Sequence, residues 1–234
     1  DPRVAAFAVS RSGPSVLYGQ SAAAQVRAED VEYFAEGARF RVGSTHFESR
    51  LTGAHNVSNI LAGIAVAGLY GIPPGSLVER VRQLQPGKMR GERFEHQGMV
   101  VYNDCYNSNP DAVHAMLDVL MDTPARRRIA VLGEMLELGR WTDPLHVEIG
   151  IYAAKRGIDF LIGVRGAASY IVDAARQAGL RPEAALFFED SAAAGRAARA
   201  FAQPGDAILF KGSRGVHIER ALEQFLVSPE GSGN

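Results

Sequence analysis

The 234-residue chain has a single cysteine, Cys105, so no disulfide can form within it. That fits a reducing compartment, and a cytoplasmic location is expected. An excess of charge of one sign is also missing. With 25 basic and 26 acidic residues the net charge is −1, which points to neither nucleic acid nor an anionic membrane as a partner. There is no long hydrophobic run. The longest weakly polar stretch, Asn56–Gly71, falls short of the roughly 20 residues that a bilayer span needs, so no membrane insertion is expected. No charged n-region followed by an apolar h-region opens the chain, and no signal peptide is expected. The first residues are Asp1-Pro2-Arg3 rather than Met, as in a piece of a longer protein. Neither the phosphate-loop spacing G-x-x-x-x-G-K-S/T nor a G-x-S-x-G nucleophile elbow occurs. Cys105, His114 and the other scattered histidines lack zinc-site spacing, so no metal ligands are expected.

What is present is an ordinary globular composition, 47% hydrophobic and 22% charged, in a length that suits one large or two small domains. The first 52 or so residues read as short strands and turns: Val4–Val9, Ser15–Tyr18, Gln25–Tyr33, Arg39–Val42 and Thr45–Leu51. In the last of these Phe47, Ser49 and Leu51 alternate with His46, Glu48 and Arg50, as in a half-buried strand. From Asn56 the spacing turns helical, and Pro73-Pro74 opens a second short helix to Leu84. Gln85–Arg93, with one Pro and two Gly among charges, reads as a linker. A hairpin follows, Phe94–His96 and Met99–Asn103, turning at Gln97-Gly98. After it, strands Ile129–Leu132, Phe160–Val164, Ala185–Phe188 and Ala207–Phe210 alternate with helices near 144–156, 167–178, 191–202 and 216–226. That alternation predicts an α/β fold with a mostly parallel sheet and flanking helices. Asp190-Ser191 and Ser213 suit helix N-caps. The tail Ser228–Asn234 reads as frayed.

Five motifs carry polar residues that could do chemistry. V-Y-N-D-C-Y-N-S-N-P (Val101–Pro110) delivers Asn103, Asp104, Asn107 and Asn109 to the turn between a strand and a helix, where α/β proteins bind ligands. A plain turn needs only one or two such residues. G-E-M-L-E-L-G (Gly133–Gly139) also follows a strand, and Glu134 and Glu137 could bind a substrate ammonium or order a loop. K-G-S-R (Lys211–Arg214) follows the last strand and gathers Lys211, Ser213 and Arg214 at a helix start, as a carboxylate or phosphate site would. M-R-G-E places Arg90 in the linker, suited to clamp a phosphate or simply to be solvated. G-A-H-N-V-S-N sets Asn56 and Asn59 on one helical face, where amides could read a purine edge or cap the helix. His146 reads as a surface or capping residue, or as a support for the G-E-M-L-E-L-G loop. Cys105 reads as a packing residue.

Taken in chain order, from G-A-H-N-V-S-N to K-G-S-R, the five motifs resemble the Mur ligases of peptidoglycan synthesis. Y-N-S-N-P, G-E-M-L-E-L-G and K-G-S-R resemble the members that join D-alanyl-D-alanine to UDP-N-acetylmuramoyl-tripeptide. The resemblance implies an ATP- and Mg²⁺-dependent amide ligase that activates a carboxylate as an acyl phosphate. It implies residues 1–87 as the end of a central ATP-binding domain, 88–228 as a Rossmann-like C-terminal domain, and 229–234 as a flexible tail. It implies that Asn59 and Asn56 contact the adenine region, that Arg90 (with Arg93 as a rival) approaches the ATP phosphates, and that Asp104 holds the ribose. Asn107, Asn109, Glu134, Glu137, Lys211, Ser213 and Arg214 would contact the dipeptide or the closed state. The family's phosphate loop and metal ligands lie upstream of the part matched here, so the chain alone is expected to be inactive. An incomplete first domain would expose sheet edges, and a dimer is a possible outcome. Two other readings stand beside this one. One is a non-catalytic α/β module that binds a nucleotide or dipeptide. The other is a ligase of the same superfamily with another acceptor, such as a folylpolyglutamate synthetase.

Overall fold

The computed structural model describes residues 2–10, 12–34 and 36–227. The expected frayed tail, 228–234, lies outside them. The chain divides between Gln85 and Pro86 into two compact units.

The first unit opens with helix α1 (Pro2–Ser10). A strand was expected over Val4–Val9, and the helix corrects this. A short apolar run cannot be told from a helix segment by periodicity. Here Ala5, Ala6 and Ala8 supply strong helix formers behind a leading proline. Val4 and Phe7 remain exposed on it. Two short strands, β1 (Tyr18–Gly19) and β2 (Val26–Arg27), pair in parallel. Strands β3 (Glu29–Phe34), β4 (Gly37–Val42) and β5 (Thr45–Ser49) form an antiparallel sheet in that order. The expected single strand over Gln25–Tyr33 is therefore two. The ladder is irregular between Glu29 and Glu32, where Asp30 adopts φ 52°. Helix α2 (Ala54–Leu69) lays Val57, Ile60, Leu61 and Ile64 on the sheet. Its buried positions follow the i, i+3, i+4, i+7 rule. Phe40 and Phe47 face each other across β4 and β5 and stack at 5.3 Å. A 3-10 turn (Pro74–Leu77) and helix α3 (Val78–Arg82) complete the unit.

The second unit is a six-stranded sheet. Strand β6 (Glu92–His96) forms a hairpin with β7 (Met99–Asp104) through Gln97 and Gly98, both at positive φ. Arg93, expected in the linker, lies in β6 opposite Tyr102. Then come α4 (Pro110–Asp122), β8 (Arg128–Gly133), α5 (Thr142–Lys155), β9 (Phe160–Val164) and α6 (Ala168–Gln177). Strand β10 (Ala185–Phe188), α7 (Ser191–Phe201), β11 (Ala207–Lys211) and α8 (Glu219–Leu226) follow. The sheet order is β10-β9-β8-β11-β7-β6, with β7 to β11 parallel and β6 antiparallel at one edge. Alternate strand residues feed two cores. Tyr102, Leu132, Leu161 and Leu209 pack with α4, α5 and α6. Val131, Ile162, Ile208 and Phe210 pack with α7 and α8. The helix expected over 216–226 begins instead as a 3-10 turn (Arg214–Val216), because His217 takes φ 58° before α8.

Candidate functional site

Strands β8 and β11 are neighbours, yet the helices that follow them lie on opposite faces, α5 on one and α8 on the other. The chain ends of such a pair diverge and open a crevice at the carboxyl edge of the sheet. Strand β7 flanks β11 on its other side. The loops after β7, β8 and β11 therefore meet at this switch point, and they carry N-D-C-Y-N-S-N-P, G-E-M-L-E-L-G and K-G-S-R.

The centre of the cluster is an ion pair. Lys211 of β11 lies opposite Asp104 of β7 in the parallel register. Side chains at paired positions share a face of the sheet, so the two meet. Lys211 Nζ donates to Asp104 Oδ2 at 2.5 Å and to the Asn107 carbonyl at 3.0 Å. The lysine side chain is 2% exposed and that of Asp104 14%. A buried ammonium requires such partners, since desolvation alone would cost several kcal/mol per ion.

Two residues further on, Ser213 is also buried. Its Oγ accepts from the Leu136 N–H at 2.9 Å and donates to the Ser108 carbonyl at 3.4 Å. Its own N–H donates to the Glu134 carbonyl at 3.3 Å. Ser213 thus ties all three loops together. It occupies the N-cap position of the 3-10 turn, but its hydroxyl makes no capping bond there. The glycine between Lys211 and Ser213 is also required. A Cβ on Gly212 would stand 2.4 Å from Ile218 Cγ1 and 3.2 Å from Gly133 Cα.

The loop after β8 is fixed from several sides. Glu134 Oε1 accepts from the Ala167 N–H at 3.1 Å. Gly166, at φ +50°, leaves room for that carboxylate, whose Oε2 would be 2.6 Å from a Cβ there. His146 is fully buried, which corrects its surface reading. Its Nε2 accepts from the Met135 N–H at 2.9 Å, and Nδ1 donates to the Thr142 carbonyl at 2.7 Å. That pattern assigns the neutral Nδ1–H tautomer. Glu137 is exposed at φ 67°.

The remaining candidates divide between structural and open positions. Asn109 caps α4, its Oδ1 accepting from the Ala112 N–H at 2.9 Å. Asn107 has an exposed side chain. Arg214 is 57% exposed and pairs with Glu219 at 3.0 Å. Burial pushes the Glu219 carboxyl up, but hydrogen bonds from His217 and its own backbone, with the Arg214 charge, hold it below its ordinary value. Arg90 is exposed and lies over the Tyr106 ring at 4.0 Å, a cation–π contact. Arg93 is half-buried in β6. Asn56 and Asn59 belong to the first unit. Asn56 donates to the Thr52 carbonyl at 2.8 Å and accepts from Asn59 at 3.4 Å. Gly53, not Asn56, is the N-cap of α2. Burial, with the Glu219 and Asp104 carboxylates, pushes the Cys105 thiol far up despite Lys211, so it is not a nucleophile.

Sequence reasoning missed three contributors: Ser108, Tyr106 and Gly166. Ser108 and Tyr106 sit inside a motif that was already singled out, and polarity or aromaticity there was the available signal. Nothing in the local sequence marks Gly166. Two buried oxygens in the β7 segment and its loop, Asn103 Oδ1 and Ser108 Oγ, have no hydrogen-bond partner among the described residues.

The fold and cluster define a doubly wound α/β domain with a polar side-chain cluster at its switch point, preceded in the chain by the first α/β unit. The chain belongs to the Mur ligase family. The model described as Mur ligase, glutamate ligase domain, matches residues 89–214, more than half of the chain, and that of the Mur ligase middle domain matches residues 1–67. A relative from Synechocystis, a UDP-N-acetylmuramoyl-tripeptide–D-alanyl-D-alanine ligase, is 30% identical over 215 residues, covering 92% of this chain and 45% of the relative. The Bacillus subtilis ligase of the same name is 29% identical over 218 residues, covering 91% of this chain and 47% of that one. A solved MurF structure from Acinetobacter baumannii superposes with a TM-score of 0.78 at 25% identity, covering 89% of this chain and 46% of the other. The chain spans about half the length of the curated relatives it matches.

Proposed function

We propose that this chain is part of an ATP-dependent amide ligase that joins D-alanyl-D-alanine to UDP-N-acetylmuramoyl-tripeptide in peptidoglycan synthesis. The observation that carries this reading is the family match over residues 89–214, which spans all three strand-end loops of the switch point. The names of the relatives support the choice of substrates. A carboxylate is a poor electrophile. ATP supplies the phosphoryl group that gives it a leaving group, and the enzyme's contribution is positioning and charge neutralisation.

The residues present fit part of a nucleotide and dipeptide site. Asp104 offers an acceptor to a ribose hydroxyl, and the exposed Arg90 guanidinium suits a phosphate. The unpartnered Asn103 Oδ1 and Ser108 Oγ fit a polar ligand or water, since buried polar atoms rarely stay unpaired. Asn107, Glu137 and Arg214 present open side chains for the dipeptide, whereas Glu134, Asn109, Lys211 and Ser213 are engaged within the fold. In the first unit, Asn56 and Asn59 present their amides on one helical face. Among the described residues no three His, Cys, Asp or Glu side chains converge, and the ligands for the ligase's Mg²⁺ are placed outside this chain. Among them, too, no helix is long and apolar enough to cross a membrane. The ATP-dependent reaction on a UDP-linked substrate, proposed from the relatives, favours the cytoplasm.

The test is phosphate release by the complete protein that carries this chain. Release is expected only when ATP, the UDP-linked tripeptide and D-alanyl-D-alanine are all present. Release that does not depend on the dipeptide overturns the reading.

A further inference from the structure

We infer that Lys211 is the positioning residue for Asp104 and does not touch substrate. The inference rests on the reading that Asp104 takes the nucleotide ribose. The lysine comes from the K-G-S-R segment, whose composition suggests an anion site. Its place in the fold argues otherwise. Its side chain is 2% exposed and its ammonium is spent on Asp104 Oδ2 and the Asn107 carbonyl. A phosphate or carboxylate from solution would have to displace both. Arg214, by contrast, keeps a 57% exposed side chain.

The arrangement does three things at once. It neutralises Asp104, so that a second anionic group can approach with less repulsion. It takes one carboxylate oxygen, while Oδ1 accepts no hydrogen bond from any described residue and is left for a ligand hydroxyl. It also ties the start of the loop, at Asp104, to its middle, at Asn107, so that the Asn107 side chain leaves a fixed backbone. Because β7 and β11 are adjacent and in register at these residues, the sheet itself sets the geometry. A rigid, pre-set acceptor lowers the ordering cost of binding.

The experiment uses the complete ligase with Lys211→Met, Asp104→Asn and the double substitution. KM for ATP and KM for D-alanyl-D-alanine are measured separately, with far-UV circular dichroism as the check on folding. Lys211→Met is expected to raise KM for ATP about tenfold, the scale of one lost hydrogen bond to an ordered group. KM for the dipeptide should change less than twofold, and the double variant should bind ATP no worse than Asp104→Asn. If Lys211→Met leaves an unpaired buried carboxylate that prevents folding, the double variant decides, since it removes both charges. Equal KM for ATP in the double and in Asp104→Asn supports a lysine that acts only through Asp104. A rise in KM for the dipeptide overturns the inference while leaving the role of Asp104 intact. An unchanged KM for ATP in Asp104→Asn overturns the ribose reading beneath it.

Discussion

Gly212→Ala should destabilise the second unit through one identifiable collision. The new methyl carbon would lie 2.4 Å from Ile218 Cγ1, against an ordinary carbon–carbon contact of about 3.5–4.0 Å. It cannot retreat, because Gly133 Cα stands 3.2 Å away. Ile218 is fully buried among Val131, Phe210 and Leu222, so it must leave its rotamer or push the sheet apart. Overpacking of this kind costs about 1–3 kcal/mol, and the severity of the clash puts it at the upper end. For a domain of this size roughly 2–4 °C of Tm accompanies each kcal/mol, so a fall of about 5–10 °C is expected. Trp141 is the chain's only tryptophan and lies in the second unit, so its fluorescence in a urea or thermal melt follows that unit. Ile218→Ala alone should cost about 2–5 kcal/mol as a cavity. Combined with Gly212→Ala it removes the obstructing atoms, and the double variant should lose less than the sum by about 1 kcal/mol or more. Strict additivity would refute the assignment of the clash to Ile218.

Ser213→Ala removes the acceptor of the Leu136 N–H and should cost about 1–3 kcal/mol. Hydrogen exchange at Leu136 should speed up selectively, and unchanged protection there would contradict the bridging role. Asp206→Asn breaks a bidentate pair with Arg127, at 3.0 and 2.6 Å, in which the acid side chain is 1% exposed. Urea denaturation should show a loss of about 3–5 kcal/mol, and a loss under 1 would mean that the pair is dispensable. Cys105, buried with its thiol pushed far up, should resist alkylation at pH 8 in the folded chain and react promptly in urea. Rapid labelling of the folded chain would contradict its burial. The 234-residue chain by itself, which has no phosphate-loop spacing, should release no phosphate above background with all substrates present.

Much of the second unit was legible because its strands and helices are long, periodic and separated by Gly, Pro and Asp. Phe160–Val164 and Ala185–Phe188 were read to the residue. The first unit was harder. Val4–Val9 is too short and apolar for its period to separate strand from helix. The break inside Gln25–Tyr33 falls at Ala28, between β2 and β3, and no pattern announces it. Sequence marked the three loops that meet at the switch point, since polar residues after apolar runs stand out. It could not supply the register that sets Lys211 against Asp104, because strand order is a tertiary fact. The same limit explains Asn109 and Ser213. Both look like ligand contacts in sequence, and in the structure one caps α4 and the other bridges three loops.

The central claim is tested most directly by an acceptor competition with the complete protein. ATP and the UDP-linked tripeptide would be offered D-alanyl-D-alanine and L-glutamate together, and the covalent product weighed by mass spectrometry. The account predicts the dipeptide adduct alone, with its formation slowed when ATP is limiting in the Asp104→Asn variant. A glutamate adduct, or nucleotide binding with no adduct at all, would contradict it.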